Sequence, residues 1–225
     1  MAMRQTPLVS GGYYHVFNRG VAKMPVFTNI SDYTRALQTL EYYRFTKPPL
    51  KFSKYKDLSI EQKNRINLEL DYKKDYLVDI LSFVLMPSHF HFLVKQNTDW
   101  GVSKFIGQFS NSYTRYFNTK HNRVGPVFQG VFKAVEVESA EQLIHLSRYI
   151  HLNPYVSSLT KRIDLEKYHW SSLPIYLGYG NNFIESQTVL SQFSKKFTYR
   201  DFVFDHSDYA RELERVKHLV IDLED

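Results

Sequence analysis

Apolar and polar positions alternate with a period of two over Tyr13-Tyr14-His15-Val16-Phe17-Asn18 and stop at Arg19-Gly20, the pattern of a strand closed by a turn. Ala36, Leu37, Leu40 and Tyr43 then recur at helical spacing. Ser31 is the candidate N-cap, and Lys47-Pro48-Pro49 stops a helix that runs to Phe45. Residues 50–74 are lysine-rich and weakly apolar, which predicts an inserted loop with a short helix near 60–70. The strongest β signal spans 76–95, where Met86-Pro87-Ser88 separates two apolar runs, because a proline cannot donate within a central ladder. Val102, Phe105, Ile106, Phe109, Tyr113, Tyr116 and Phe117 step by three and four, an amphipathic helix. Residues 125–137 read as extended. Ser139-Ala140-Glu141-Gln142 has the spacing of a capping box and opens a helix that should end at Asn153-Pro154. A last, acidic helix is expected over 209–219.

This order, β-α-insert-β-β-α-β-α, predicts an α+β fold: an antiparallel sheet with helices packed mainly on one face and the other face left to bind a partner. The reading divides the chain into a domain over 1–175, with the lysine-rich insert at about 47–75, and a C-terminal extension over 176–225.

Composition narrows the chemistry. The chain has 225 residues and no cysteine, which removes disulfides, thiolate metal sites and thiol nucleophiles. Its longest uncharged apolar run, 81–94, contains Pro87, His89 and His91 and is shorter than the roughly 20 residues a bilayer requires. No apolar leader opens the sequence, so a cytoplasmic protein with no membrane partner is expected. The net charge of +6 is unevenly spread. Residues 201–225 hold three basic and eight acidic side chains, so the first 200 carry 26 basic against 15 acidic. A basic body favours a polyanion through counterion release, and 17 Tyr with 17 Phe offer rings for stacking on unpaired bases.

Four residues carry candidate chemistry, two imidazoles on a strand and a phenol with an amide on a helix. His89 and His91 are two apart on a strand, so both imidazoles project from one face, where they can chelate one divalent ion. Tyr149 and Asn153 are four apart on the capped helix, placing a phenol and an amide oxygen one turn apart on one side. His145 shares that stripe as a rival ligand or as a base for the tyrosine. The bland alternatives are a half-exposed strand histidine pair, a half-buried helix tyrosine and an asparagine that merely ends its helix.

The string Leu85-Met86-Pro87-Ser88-His89-Phe90-His91-Phe92-Leu93-Val94 resembles the His-hydrophobic-His (HUH) motif of the small single-tyrosine transposases. The blocks at 14–20, 113–118, 125–133 and 148–154 are similar to the same group and follow in the same order. Together they best resemble the REP-associated tyrosine transposases over about residues 10–175. That resemblance implies a ferredoxin-like or RRM-like nuclease core, His89, His91 and Asn153 as metal ligands, and Tyr149 as the nucleophile. Tyr113 and Tyr116 compete for that last role, but only Tyr149 has a ligand-type residue four positions on. The length of the insert and the region beyond about 180 depart from the likeness and leave substrate choice open.

The implied reaction is metal-dependent cleavage and strand transfer on single-stranded or stem-loop DNA, through a 5′-phosphotyrosine link. Mg²⁺ or Mn²⁺ is the implied cofactor, and the acting species is a monomer or a homodimer. Candidate DNA contacts are Tyr14, Asn18, Arg19, Arg115, Lys120, Arg123 and Lys133, with Tyr13 and Phe17 as further stacking rings. Two other readings stay open: a catalytically silent hairpin-binding protein and an RNA-binding module on a similar open sheet.

Overall fold

In the computed structural model, residues 7–180, 183–194 and 197–205 are described. Four strands, β1 (Tyr13–Arg19), β2 (Val78–Met86), β3 (His89–Gln96) and β4 (Lys133–Glu136), form one antiparallel sheet in the order β2-β3-β1-β4. Strands β2 and β3 make a hairpin around Pro87-Ser88, at the position where the proline predicts the break. The ladder between them shifts register between Ile80 and Ser82, a bulge that sharpens the local twist.

Helices α1 (Ile30–Tyr43) and α4 (Gly101–Lys120) pack on each other and cover one face of the sheet. Phe90 and Phe92 of β3 point into that layer. Their rings stack 4.4 Å apart and meet Phe105 and Phe109 of α4, all fully buried. Each such ring contributes about 2–3 kcal/mol by leaving water. The insert folds as two helices rather than one short one, α2 (Phe52–Lys56) and α3 (Ile60–Lys73); α3 opens on a capping box between Ser59 and Gln62. Asn29, not Ser31, caps α1, because its side chain accepts from the Asp32 N–H; Ser31 donates to Asn29 instead.

Helix α5 (Ala140–Val156) lies over β2 and β3 on the opposite face. Ser139 caps it through the Gln142 N–H, while the Gln142 side chain reaches the Glu138 N–H, one residue earlier than a capping box requires. The helix does not stop at Pro154 but continues to Val156. Proline forfeits its own N–H bond there, yet the turn is held by Ser157, whose N–H and hydroxyl both reach the Asn153 carbonyl. Beyond it come the short helices α6 (Leu173–Tyr176), α7 (Gln187–Leu190) and α8 (Tyr199–Phe204). Residues 170–172 extend the sheet edge by bonding Leu85 and Phe83 of β2, and α7 and α8 pack on α5. The acidic helix expected at 209–219 lies outside the described residues. Among the described residues no helix is long and apolar enough to cross a membrane.

His151, on α5, is fully buried between Tyr199 Oη and Ser172 Oγ, each 2.7 Å from one ring nitrogen. Burial pushes its pKa down from 6.5 to about 3, so the native ring is neutral. The unfolded chain therefore takes up a proton here before the folded one does. Stability from this group is complete above about pH 6.5 and falls toward pH 3, by about 1.4 kcal/mol per unit. Thermal unfolding of a His151→Phe variant, measured from pH 7.5 to 4, should show a shallower loss of stability with acid than the parent chain.

Candidate active site

Strand pairing builds the site on the face that α5 crosses. Phe17 of β1 lies opposite His91 and Arg19 opposite His89, so these side chains share a surface with His15, two residues back on β1. Lys133 of β4 flanks Phe17 on its other side, bringing a second cation to the same surface. The imidazoles of His89 and His91 stand 5.1 Å apart, centroid to centroid, and nearly perpendicular. Ser88 Oγ lies 3.1 Å from His89 Nδ1.

Tyr149 reaches this cluster from α5. Its ring meets His91 edge-on at 5.6 Å and His15 at 6.2 Å, and the residue is 7% exposed. Asn153, one turn further along α5, is also buried. The two imidazoles and the phenol, separated by some sixty residues of chain, thus occupy one place.

One member carries no sequence motif. His15 is buried against Phe17 and His91, and its Nε2 stands 2.9 Å from His91 Nδ1. Burial holds both rings neutral: His15 is lowered to about 3. His91 is pushed well down by burial first, then by His15, His89 and Arg19. Only one proton can occupy the bond between them. If His91 is to present the lone pair of Nε2 to a ligand, its Nδ1–H must donate to His15 Nε2. His15 then carries its own proton on Nδ1, an atom with no hydrogen-bond partner among the described residues. A signal for His15 existed only in its parity with Phe17 and Arg19 on β1.

Other candidates sit elsewhere. Tyr14, proposed as a stacking residue, is fully buried on the helix-covered face. Its hydroxyl accepts from the Val9 N–H, so it cannot meet a base. Phe17 likewise is buried, against the imidazoles. Asn18 shares the face of Tyr14, and its amide oxygen is taken by the Arg19 N–H at 2.8 Å. Tyr113 lies in the core on that side and donates to the Val26 carbonyl. Tyr116 donates to Asp32 at 3.1 Å. The sheet therefore separates both tyrosines from the imidazoles. His145 packs on Phe202 and contacts Arg148 at 3.2 Å.

The cations divide between two surfaces. Arg19 and Lys133 border the imidazoles. Arg115, Lys120 and Arg123 belong to the last turns of α4 and the turn after it, behind the sheet. Arg123 lies over the Phe117 ring at 5.8 Å. Lys120 is committed to structure: its ammonium stands 2.6 Å from the fully buried Asp32 carboxylate and 2.9 Å from Asn29. Burial alone would raise Asp32, but bonds from Lys120, Thr28 and Tyr116 outweigh it and hold the carboxyl below its usual range.

Comparison with known proteins accords with this geometry. Residues 54–153 match the family described as IS200-like transposase. The matched stretch holds β2, β3, α4 and the part of α5 that bears Tyr149 and Asn153, and it bears out the likeness read from the motif blocks. A solved structure of a REP-associated tyrosine transposase bound to a REP hairpin has the same fold, with a TM-score of 0.53 at 12% identity, covering 82% of this chain and 94% of that one. No curated protein matches the sequence. Only part of the basic surface is then available to a ligand. A Lys120→Met substitution should cost about 2 kcal/mol, less than for a fully buried pair because the ammonium touches solvent. In thermal unfolding that corresponds to a drop of roughly 4–8 °C, whereas Arg115→Ala, exposed and without an ion pair among the described residues, should leave the midpoint unchanged.

Proposed function

We propose that this chain is a metal-dependent DNA strand-cleaving and rejoining enzyme of the single-tyrosine transposase type, acting on single-stranded or stem-loop DNA. The observation that carries the reading is the approach of Tyr149, on α5, to His91, on β3, at 5.6 Å between rings. The match of residues 54–153 to the IS200-like transposase family supports it, and the hairpin held by the similar structure supports a stem-loop substrate.

His89 and His91, with the amide of Asn153, would hold the ion. The donor set fits a divalent metal: both imidazoles leave one strand face, and His91 is neutral, so it has a lone pair to give. Among the described residues no three His, Cys, Asp or Glu side chains group as a metal site, so an amide and the phosphate itself would complete the shell. Two nitrogen donors suit Mn²⁺ at least as well as Mg²⁺. When bound, the ion would polarise a non-bridging phosphate oxygen and offset charge that develops in the transition state.

The remaining steps belong to the chain. The Tyr149 oxygen, once it has lost its proton, attacks phosphorus as the bond to the 3′-oxygen breaks. The leaving oxygen departs with the bonding pair and takes up one proton, so the step is proton-neutral. A 5′-phosphotyrosine link and a free 3′-OH result. Because the link keeps the bond energy, a second 3′-OH can reverse it, which gives rejoining or strand transfer. Arg19 and Lys133, beside the imidazoles, would hold the flanking phosphates. The covered position of Tyr149 limits access by water, which would otherwise compete with the 3′-OH.

Incubation with end-labelled hairpin oligonucleotides and Mn²⁺ tests the reading. A covalent protein–DNA adduct should form and should vanish in Tyr149→Phe while hairpin binding persists. Binding without adduct in the parent chain, under either metal, would overturn it in favour of a silent hairpin-binding protein, and preference for an RNA hairpin would favour the RNA module. Calorimetric titration with Mn²⁺ checks the ion separately. His89→Ala/His91→Ala should abolish binding, and His15→Leu, which removes the acceptor for His91 Nδ1, should weaken it roughly 10–100-fold, with His15→Gln retaining most of the affinity.

A further inference from the structure

We propose that His151, Tyr199 and Ser172 are positioning residues for Tyr149: the segment after α5 sets the rotation of that helix, and with it the approach of the phenol to His91. The inference rests on the reading of Tyr149 as nucleophile and assigns a role to a region, 168–204, that lies beyond the family match.

The argument begins with helix geometry. Ser147 and His151 are four residues apart and share one stripe of α5, while Tyr149, two residues from each, points roughly 160° away. The structure agrees: Ser147 and His151 both meet Tyr199, and Tyr149 meets His91 on the other side. The helix is thus gripped along one stripe and presents its tyrosine from the opposite one.

The grip is an ordered chain of hydrogen bonds. The Ser147 hydroxyl donates to the Ile144 carbonyl at 2.7 Å, so toward Tyr199 it can only accept, at 3.0 Å. Tyr199 Oη therefore donates to Ser147 and accepts from His151 Nδ1–H at 2.7 Å. The opposite ring nitrogen, Nε2, is then an acceptor, and the Ser172 hydroxyl donates to it at 2.7 Å. Ser172 Oγ in turn accepts from the Phe83 N–H of β2 at 2.8 Å, and the Ser172 N–H bonds the Phe83 carbonyl at 3.0 Å. The Phe83 carbonyl is a second, longer acceptor for the Ser172 hydroxyl at 3.3 Å, so the chain links the β2 backbone to the Ser147 turn of α5 with the shorter bonds running through His151. All four side chains are buried, so none of these bonds has water as a substitute. Tyr176 and Tyr199 close around the imidazole at 4.8 and 5.7 Å. Beside this chain, Arg148 lies over the Phe202 ring at 4.2 Å and reaches its carbonyl at 3.3 Å.

The lever is long enough to matter. A tyrosine hydroxyl stands on the order of 8 Å from its helix axis, so a rotation of roughly 10° displaces it by more than 1 Å. A misplacement of that size can cost about 100-fold in rate.

Tyr199→Phe is the least disruptive test, since it deletes one hydroxyl and keeps the ring. His151→Phe deletes both links of the imidazole. In isotope-labelled full-length protein, the nuclear Overhauser contact between the Tyr149 and His91 rings should be strong in the parent chain and weakened or lost in either variant. Unchanged contacts in both variants would overturn the proposal. That readout needs no cleavage, so it stands even if the parent chain forms no DNA adduct, a result that would count against the proposed function instead. Where adduct forms, single-turnover rate and burst amplitude separate positioning from folding. Positioning predicts a rate reduced roughly 10–100-fold at normal amplitude and unchanged hairpin affinity, and a double variant no slower than the worse single one, because both cut the same chain. A purely structural role would lower the amplitude and leave the rate of the folded fraction intact, and that outcome would also overturn the proposal.

Discussion

The alternation of β3 is the constraint on which the molecule depends. Phe90 and Phe92 must enter the core formed with α4, and that requirement alone directs His89 and His91 to the other face. A slip of one residue would bury the imidazoles among phenylalanines and expose the rings to solvent, at a cost of several kcal/mol for the two side chains. The core therefore enforces the register of the site. Central placement adds to this: β3 is paired on both edges, by β2 and β1, so its side chains have little freedom to shift.

What could be read in the sequence follows from that alternation. The hairpin, α4 and the start of α5 are strongly periodic, and the His-Phe-His triplet states its geometry in three letters. The parity of β1 was ambiguous by contrast. Tyr13 to Arg19 is apolar or amphipathic on both sides, and nothing local says which set faces the helices. Tyr14 therefore reads as a stacking ring but is a core residue, and His15, which touches His91, lies in no motif of its own. Lys120 read as a phosphate contact because its partner, Asp32, lies 88 residues away on α1. A lone basic residue near a helix end carries no local mark of a buried carboxylate across the interface. Pro154 read as a terminus because the compensating bonds from Ser157 come after it. In each case the missing information was a contact between distant segments, which spacing rules do not encode.

The two surfaces of α5 show how one helix can be held along one stripe and present Tyr149 from the other. A side chain used in a reaction must be held without being consumed by its support. The stripe of Ser147 and His151 meets Tyr199 and Ser172 of the segment after α5, leaving the Tyr149 stripe to the sheet. Lys120 on α4 shows the same economy from the other side. A cation whose charge already neutralises Asp32 adds little to a field that attracts anions, whereas Arg19 and Lys133 border the imidazoles on the other side of the sheet.

Burial links the neutrality of these imidazoles to a weakness in acid. Imidazoles act as ligands only when neutral, and a ring exposed to water with a pKa near 6.5 is partly charged at mildly acid pH. Placing His15, His91 and His151 out of water lowers all three, which secures the lone pairs across the physiological range. The same desolvation means that each ring binds its proton far more readily in the unfolded chain, so a fall in pH draws the equilibrium toward unfolding at several points at once. An open, solvated pair of histidines would tolerate acid better and hold an ion less firmly. The buried arrangement found here gives up tolerance to acid, and its aromatic neighbours, Phe17 and Tyr149, exclude water without offering a competing charge.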